Sequence, residues 1–252
     1  MIRYEHPLNE RIRTLMRLED LFARTGFYAS RDDAPDHHAA LLSLFEITEV
    51  AARADLKADL VQELERQKQV LAPLRSNPQI DQGRLAILLA DIEQVSGNLL
   101  AHAGKAGTHL RENEWLMAIK QRAAIPGGVC EFDLPAYHHW LNKPAAARRQ
   151  DLAGWIEPFA PIRTGSAIVL RLLRENSRVS RHTATRGVFQ LMLTTAKVAQ
   201  LLRLRLEHNP PYVPEISANK YALNIRFIGV SGMDRGKVVD QDMDFELTFC
   251  NL

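Results

Sequence analysis

The sequence predicts an α+β protein, with a mainly helical bundle body over residues 1–183 and a C-terminal antiparallel β-sheet domain over residues 184–252. Two periodicities carry this reading. Through the first part apolar residues recur three and four apart, the spacing of one helix face, whereas past Arg186 they alternate with polar ones as in a strand. The chain has 252 residues, 46% of them hydrophobic, which is enough apolar material for one large core or two smaller ones.

The elements follow in order. Pro7-Leu8-Asn9 reads as a helix start, and Ile12, Leu15, Met16, Leu18 and Phe22 form the apolar face of a helix to about Ala23. Asp36 is placed to cap a helix through Leu41, Leu44, Phe45 and Val50. A third helix runs from about Leu56 to Leu74 with Leu60, Leu64, Gln67 and Leu71 on one stripe, and Pro73 and Pro78 bracket its end. Asp81 opens a fourth, through Leu85, Leu89, Ile92 and Leu99, which ends near His102. Beyond Thr108 one helical pattern continues through Leu110, Trp115, Ile119 and Ala123 to a sharp turn at Ile125-Pro126-Gly127-Gly128. Residues Val129 to Phe132 alternate as a short strand, Pro135 starts a helix with Tyr137 and Trp140, and helices follow at about 145–157 and 160–176.

Past Arg186, the stretch Gly187 to Leu193 is rich in strand formers, and Leu202-Arg203-Leu204-Arg205-Leu206 alternates strictly. Tyr221, Leu223, Ile225 and Phe227 alternate with Asn224, Arg226 and Ile228, as Met243, Phe245, Leu247 and Phe249 do with Asp242, Asp244, Glu246 and Thr248. Three or four antiparallel strands with one apolar face each need a cover, which the helical part can supply.

Composition narrows the function. No apolar run approaches the roughly 18–20 residues of a membrane span, and Met1 to Pro7 carries charges where a secretion signal needs an apolar stretch. The expectation is a soluble cytoplasmic protein. Cys130 and Cys250 are the two cysteines, too few for a disulfide scaffold or a four-cysteine zinc site. The net charge of +2 hides a segregation. Residues 160–235 hold twelve Lys and Arg against four Asp and Glu, while the flanking segments are slightly acidic. Such a tract calls for an acidic partner, whether nucleic acid, phosphate, membrane surface or acidic peptide, and charge alone does not choose among them.

No catalytic set stands out. Gly127-Gly128 has neither the Walker spacing nor G-x-G-x-x-G, and no G-x-S-x-G elbow is present. His138-His139 and His37-His38 are adjacent pairs, whose members point about 100° apart on a helix and share a metal poorly. Cys130 reads as a buried strand cysteine. The expectation is therefore no enzyme, no metal and no cofactor. The basic residues are more suggestive. Arg171, Arg174, Arg178 and Arg181 are spaced three, four and three, one face of a helix if it continues that far. Arg203, Arg205 and Arg226 project from the faces opposite the apolar residues, with Asp242, Asp244 and Glu246 available for cross-strand pairs. A second basic set comprises Arg11, Arg13, Arg17, Arg53, Lys57, Arg111, Lys120 and Arg122. The basic tract has few aromatics for stacking and no recognisable nucleic-acid motif, so a basic nucleic-acid-associated protein is the alternative and not the leading reading.

Two segments are far more specific than charge. Tyr4-Glu5-His6-Pro7-Leu8-Asn9-Glu10-Arg11-Ile12-Arg13-Thr14 with Arg17-Leu18-Glu19, and Ile125-Pro126-Gly127-Gly128-Val129-Cys130-Glu131-Phe132-Asp133-Leu134-Pro135 ending in His138-His139-Trp140-Leu141, resemble the signature segments of the ZapD family. The likeness extends through Glu63-Leu64-Glu65-Arg66-Gln67, Leu110-Arg111-Glu112, Ile225-Arg226-Phe227 and Asp244-Phe245-Glu246-Leu247, and so spans nearly the whole chain.

The resemblance implies a non-enzymatic cytoplasmic homodimer, with a helical and a β domain, acting at the midcell division site. It would bind the acidic C-terminal tail of the tubulin-like protein FtsZ and cross-link filaments of the Z-ring during septation, with no membrane or nucleic-acid partner. Carried over one by one, Arg17 sits in the first-helix motif, His138 in L-P-x-x-H-x-W and Arg226 in I-R-F, while Arg53 matches by its distance from the Glu63 segment. Lys220, Arg111 and Arg122 are supporting tail-binding candidates. Glu114 and Ala222 depart from the family by standing where basic residues are expected.

Overall fold

A computed structural model describes the chain except residues 53–54, 102–103, 176, 194–198, 208–209, 220 and 231–235, and the side chains of residues 177 and 178. The fold is α+β, and the chain divides into two compact units, Thr14–Val169 and Met1–Arg13 with Leu170–Leu252. Each is described by itself.

The first strand, β1 (Ile2–Pro7), precedes helix α1 (Glu10–Ala29). Asn9 caps α1 by accepting the Ile12 N–H at 2.8 Å. Helix α2 (Ala34–Ala51) begins ahead of the expected Asp36 because Pro35 in its first turn presets the helical φ, and Asp36 instead accepts a 2.6 Å bond from Arg31. Helix α3 (Leu56–Leu71) tightens into a 3-10 turn at Ala72–Ser76, which contains Pro73, and packs against α4 (Gln82–Ala101). Asp81 caps α4, its Oδ1 accepting the Arg84 N–H at 3.0 Å.

The single helix expected beyond Thr108 is two, α5 (Thr108–Arg111) and α6 (Glu114–Ala123), because Asn113 leaves the helical conformation and its side chain caps α6 on the Leu116 N–H at 3.0 Å. The strand expected over residues 129–132 is a chain of turns, and Cys130, expected to be buried on it, is exposed. The Gly128 N–H bonds Ile125 O, and the N–H groups of Asp133 and Leu134 both bond Cys130 O. Four alternating residues with no pairing strand gain nothing from extension. Helices α7 (Pro135–Leu141), α8 (Ala145–Ile156) and α9 (Ala160–Glu175) follow.

In the helical unit, Leu15, Leu18, Leu41, Leu44, Ile47, Leu60, Leu64 and Ile92 are fully buried, as the three-to-four spacing predicts. Gly107, at φ +75°, lets the chain enter α5 close to α2. A Cβ there would lie 2.7 Å from Thr48 Cγ2 and 3.2 Å from the Phe159 ring.

The other unit holds β1, β2 (Ser177–Ala184), β3 (Val188–Met192), β4 (Leu201–Leu206), β5 (Tyr212–Ala218), β6 (Ala222–Gly229) and β7 (Met243–Cys250). They form an antiparallel sheet of order β1-β4-β7-β2 and another of order β3-β6-β5. The cover that these strands need comes from each other. Leu202, Leu204, Leu206, Met243, Phe245 and Leu247 of the first sheet share one core with Leu223, Ile225 and Phe227 of the second. The Phe245 ring stands 5.2 Å from Phe189 and 5.3 Å from Phe227. The arginine spacing past residue 171 does not mark one helix face, for α9 stops at Glu175 and Arg178 and Arg181 lie on β2. The β-branched Val179 and Thr183 in that stretch suit a strand.

Candidate functional site

The candidate residues divide between the units. In the helical unit, the motif around His138 is built on a packed aromatic floor. Tyr137 and Trp140 of α7 are buried and stack 5.9 Å apart, and Trp115 and Trp155 close around Trp140 at 5.8 Å. The Tyr137 hydroxyl and His38 Nδ1 are hydrogen-bonded at 2.7 Å, and Trp140 Nε1 donates to Asp151 Oδ2 at 2.8 Å. With 137 and 140 turned inward, helix phase leaves His138 and His139 outside. His138 Nε2 lies 3.6 Å from Glu131, and Arg122, at the other end of the same turn segment, lies 3.5 Å from Asp133. Both pairs are solvent-exposed enough to exchange partners at small cost.

Arg17 is on the exposed face of α1. Arg111 is turned toward its own loop, its Nη2 donating to Ala106 O at 2.7 Å, so one of its jobs is to hold the approach to α5. Lys120 pairs with Glu49 at 2.8 Å. Glu114 opens α6, where a carboxylate complements the helix dipole. Arg53 and Lys220 lie outside the described residues.

In the β unit, Arg226 is exposed at the middle of β6, and Ala222 begins that strand. Arg226 faces Val188 on one side and Glu215 on the other in the strand register, with Nη2 3.7 Å from Glu215 Oε2. These three residues with Gln190, Ser217 and Asn224 line a shallow cavity of about 640 Å³ on the β3-β6-β5 sheet. The expected cross-strand pairing is present for Arg205, which approaches Glu246 at 3.6 Å, and Arg181, expected instead on a helix face, approaches the same carboxylate at 3.7 Å.

Two clusters escaped the sequence reading. In the β unit, Glu5 of β1 accepts from Arg174 Nη2 at 2.7 Å and lies 3.1 Å from Arg203 Nε, while Arg203 Nη1 donates to Arg174 O. Arg174 and Arg203 are thus occupied in holding β1 and the end of α9. The beginning of an alternation at Ile2 and Tyr4 against Arg3 and Glu5 was the available signal. In the helical unit, Arg148 is buried. Its Nε donates to His37 Nδ1 at 2.8 Å, and its Nη groups donate to the carbonyls of Asp32, Leu141 and Lys143. Because Arg148 can only donate, His37 Nδ1 is the acceptor and His37 Nε2 carries the proton given to Arg31 O at 2.7 Å. Among the described residues no three His, Cys, Asp or Glu side chains gather as metal ligands, and no helix is long and apolar enough to cross a membrane.

Burial pushes the pKa values of His37 and His38 below the ordinary histidine range, and the Arg148 guanidinium adds to the shift at His37 against the opposing bond to Arg31 O. The sign follows. Below pH about 6.5 the unfolded chain protonates these histidines while the folded chain does not, so stability present above that pH is lost as pH falls toward the lowered native values. The urea midpoint of the helical unit, followed by tryptophan fluorescence, is expected to be flat from pH about 8 to 7 and to fall below about 6.5. A midpoint unchanged down to pH about 5.5 would contradict this.

A family model described as ZapD, cell division protein, matches residues 16–226. The chain is 57% identical over 252 residues to the cell division protein ZapD of an Azoarcus strain, with all of both chains covered. It is 56% identical to the ZapD of Aromatoleum aromaticum, covering all of this chain and 98% of that one. To the ZapD of Dechloromonas aromatica it is 55% identical over the whole of both.

Proposed function

The chain belongs to the ZapD family of cell division proteins, and from that premise we propose that it is a non-enzymatic factor that binds the acidic C-terminal tail of FtsZ and bundles FtsZ filaments. The full-length likeness to cell division proteins named ZapD is the observation that carries this reading. The charge supports it, since the tract of residues 160–235 holds eight more basic than acidic residues in a chain of net +2. The tail contacts proposed are Arg17, Arg111, Arg122 and His138 in the helical unit and Arg226 in the β unit, with Arg53 and Lys220 completing the set. Arginines present paired donors to carboxylates, and the exposed ones keep their reach because their present partners are weakly held.

Bundling requires that each particle hold two tails. A homodimer does this by symmetry, and two linked weak contacts then act as one strong one. The protein acts in the cytoplasm at the division site, where the filaments are. Low-speed co-sedimentation with FtsZ tests the reading. Pelleting of FtsZ is expected to need the C-terminal tail and to weaken between low and physiological salt, where the Debye length shortens to about 8 Å. Pelleting that ignores removal of the tail would sink the tail as the docking element. Absence of any FtsZ effect, with retention of an oligonucleotide at physiological salt, would favour the nucleic-acid alternative.

A further inference from the structure

The turn joining β2 to β3 is where the backbone leaves its easy conformations. Arg186 has φ +48° and Gly187 φ +70°, and Thr185 pairs with Val188, so these two residues form a tight hairpin turn. Such turns need the left-handed conformation at both central positions and favour Asn-Gly or Asp-Gly. Gly187 meets the requirement, for a Cβ there would lie 2.3 Å from Val239 O. Arg186 does not meet it freely, since a Cβ in that conformation crowds the following carbonyl oxygen. The Arg186 N–H is held by Asp242 Oδ1 at 2.9 Å. The side chain is exposed, and among the described residues its guanidinium has no hydrogen-bond or ion-pair partner. An unpaired cation thus stands where asparagine would be at ease, at a backbone cost that the fold does not recover through the side chain.

Its place in the fold says what it can serve. Two residues along, Val188 is paired with Arg226, and both line the cavity on the β3-β6-β5 sheet. Among the described residues Glu215 is the one carboxylate that lines this cavity, and its pair with Arg226 is 61% and 55% exposed. Arg186 at the turn adds a second guanidinium, and the Asp242 carboxylate beside it is engaged by the Arg186 backbone N–H. Strand geometry spaces residues by about 3.3 Å, so carboxylates two residues apart on an extended peptide match an arginine at the sheet centre and one at the turn. Among the described residues no aromatic ring lines the cavity, so there nucleotide bases have nothing to stack on.

We propose that Arg186 joins Arg226 as a second tail-binding arginine of the β unit, and that the outer face of the β3-β6-β5 sheet receives an extended acidic segment with carboxylates on Arg226 and Arg186. This rests on the tail reading above. The test uses the full chain and a fluorescently labelled FtsZ C-terminal tail peptide, read by anisotropy at low salt. Arg186→Asn is expected to weaken binding about ten-fold, the loss of one charge-assisted contact, while the melting temperature holds or rises because asparagine suits the turn. Arg186→Gly should lose the same affinity, and Arg186→Lys, which keeps the charge, should lose much less. Unchanged affinity in Arg186→Asn and Arg186→Gly, with Arg226→Gln impaired, overturns the role of Arg186 and leaves the tail reading standing. A wild-type chain that does not bind the peptide overturns both.

Discussion

Replacing Arg148 with methionine is expected to remove about 3–5 kcal/mol from the helical unit, the summed cost of leaving several buried acceptors without their donors. Methionine fills much of the space, so the loss is electrostatic and hydrogen-bonding in origin. It strips donors from the carbonyls of Asp32, Leu141 and Lys143 and from His37 Nδ1, in a place where water cannot replace them all. Those acceptors belong to the approach to α2 and to the segment between α7 and α8, so one side chain fastens three parts of the unit. Against a typical total of about 5–15 kcal/mol this is a large share, and the melting temperature should fall on the order of 10 °C. Arg148→Lys should rescue little, because one ammonium cannot serve the several acceptors that a planar guanidinium reaches. Tryptophan fluorescence reads the unit selectively, since Trp115, Trp140 and Trp155 are the chain's three tryptophans and all lie within it. A shift within about 2 °C would show that the network is dispensable.

The same residue shows what could be read in advance. Arg148 and Arg149 are neighbours of one type, yet the first is buried and the second pairs with the Asp32 carboxylate in solvent. Helix phase decides between them, and the available clue was Leu152, four residues on and fully buried. What phase could not supply was the identity of the acceptors, which come from residues 32 and 37, more than a hundred positions away. Strands β4, β6 and β7 were legible because leucine, isoleucine and phenylalanine alternate strictly with polar residues. Strand β1 was not, because its charged positions and Pro7 hide the short alternation of Ile2 and Tyr4, and β5 was obscured by Pro214, which an edge strand tolerates. The arginine spacing over residues 171–181 misled for a different reason. Three-and-four spacing describes a helix only while the backbone stays helical, and α9 ends at Glu175 while β2 begins at Ser177. At the candidate site, the motifs located His138 and Arg226 on exposed positions, but they could not show that Arg111 spends a donor on Ala106 O.

Charge reversal at Arg226 is expected to abolish FtsZ bundling while the fold survives. Arg226 is exposed and its Glu215 partner is 3.7 Å away in solvent, so the existing pair contributes at most about 1 kcal/mol. In Arg226→Glu a carboxylate faces Glu215 across the register, and directly opposed like charges in a sheet cost about 1 kcal/mol or less. The buried neighbours Ile225 and Phe227 keep their places on the opposite face, so circular dichroism and melting should change little. A bound acidic tail is affected far more, because it loses an attractive contact and meets two carboxylates in a groove that offered one. Apposed like charges at an interface cost several kcal/mol, and about 3 kcal/mol lowers affinity more than a hundred-fold. Bundling should suffer more steeply than single-tail binding, since a cross-link requires both sites of a dimer to be occupied and so depends on the product of two weakened contacts. Arg226→Gln removes the attraction without adding the repulsion, and its bundling should fall between wild type and the reversal, converging with wild type as salt rises. Full bundling by a folded Arg226→Glu would remove this sheet face from the tail site and turn the search to Arg17, Arg53, Arg111, Arg122 and His138.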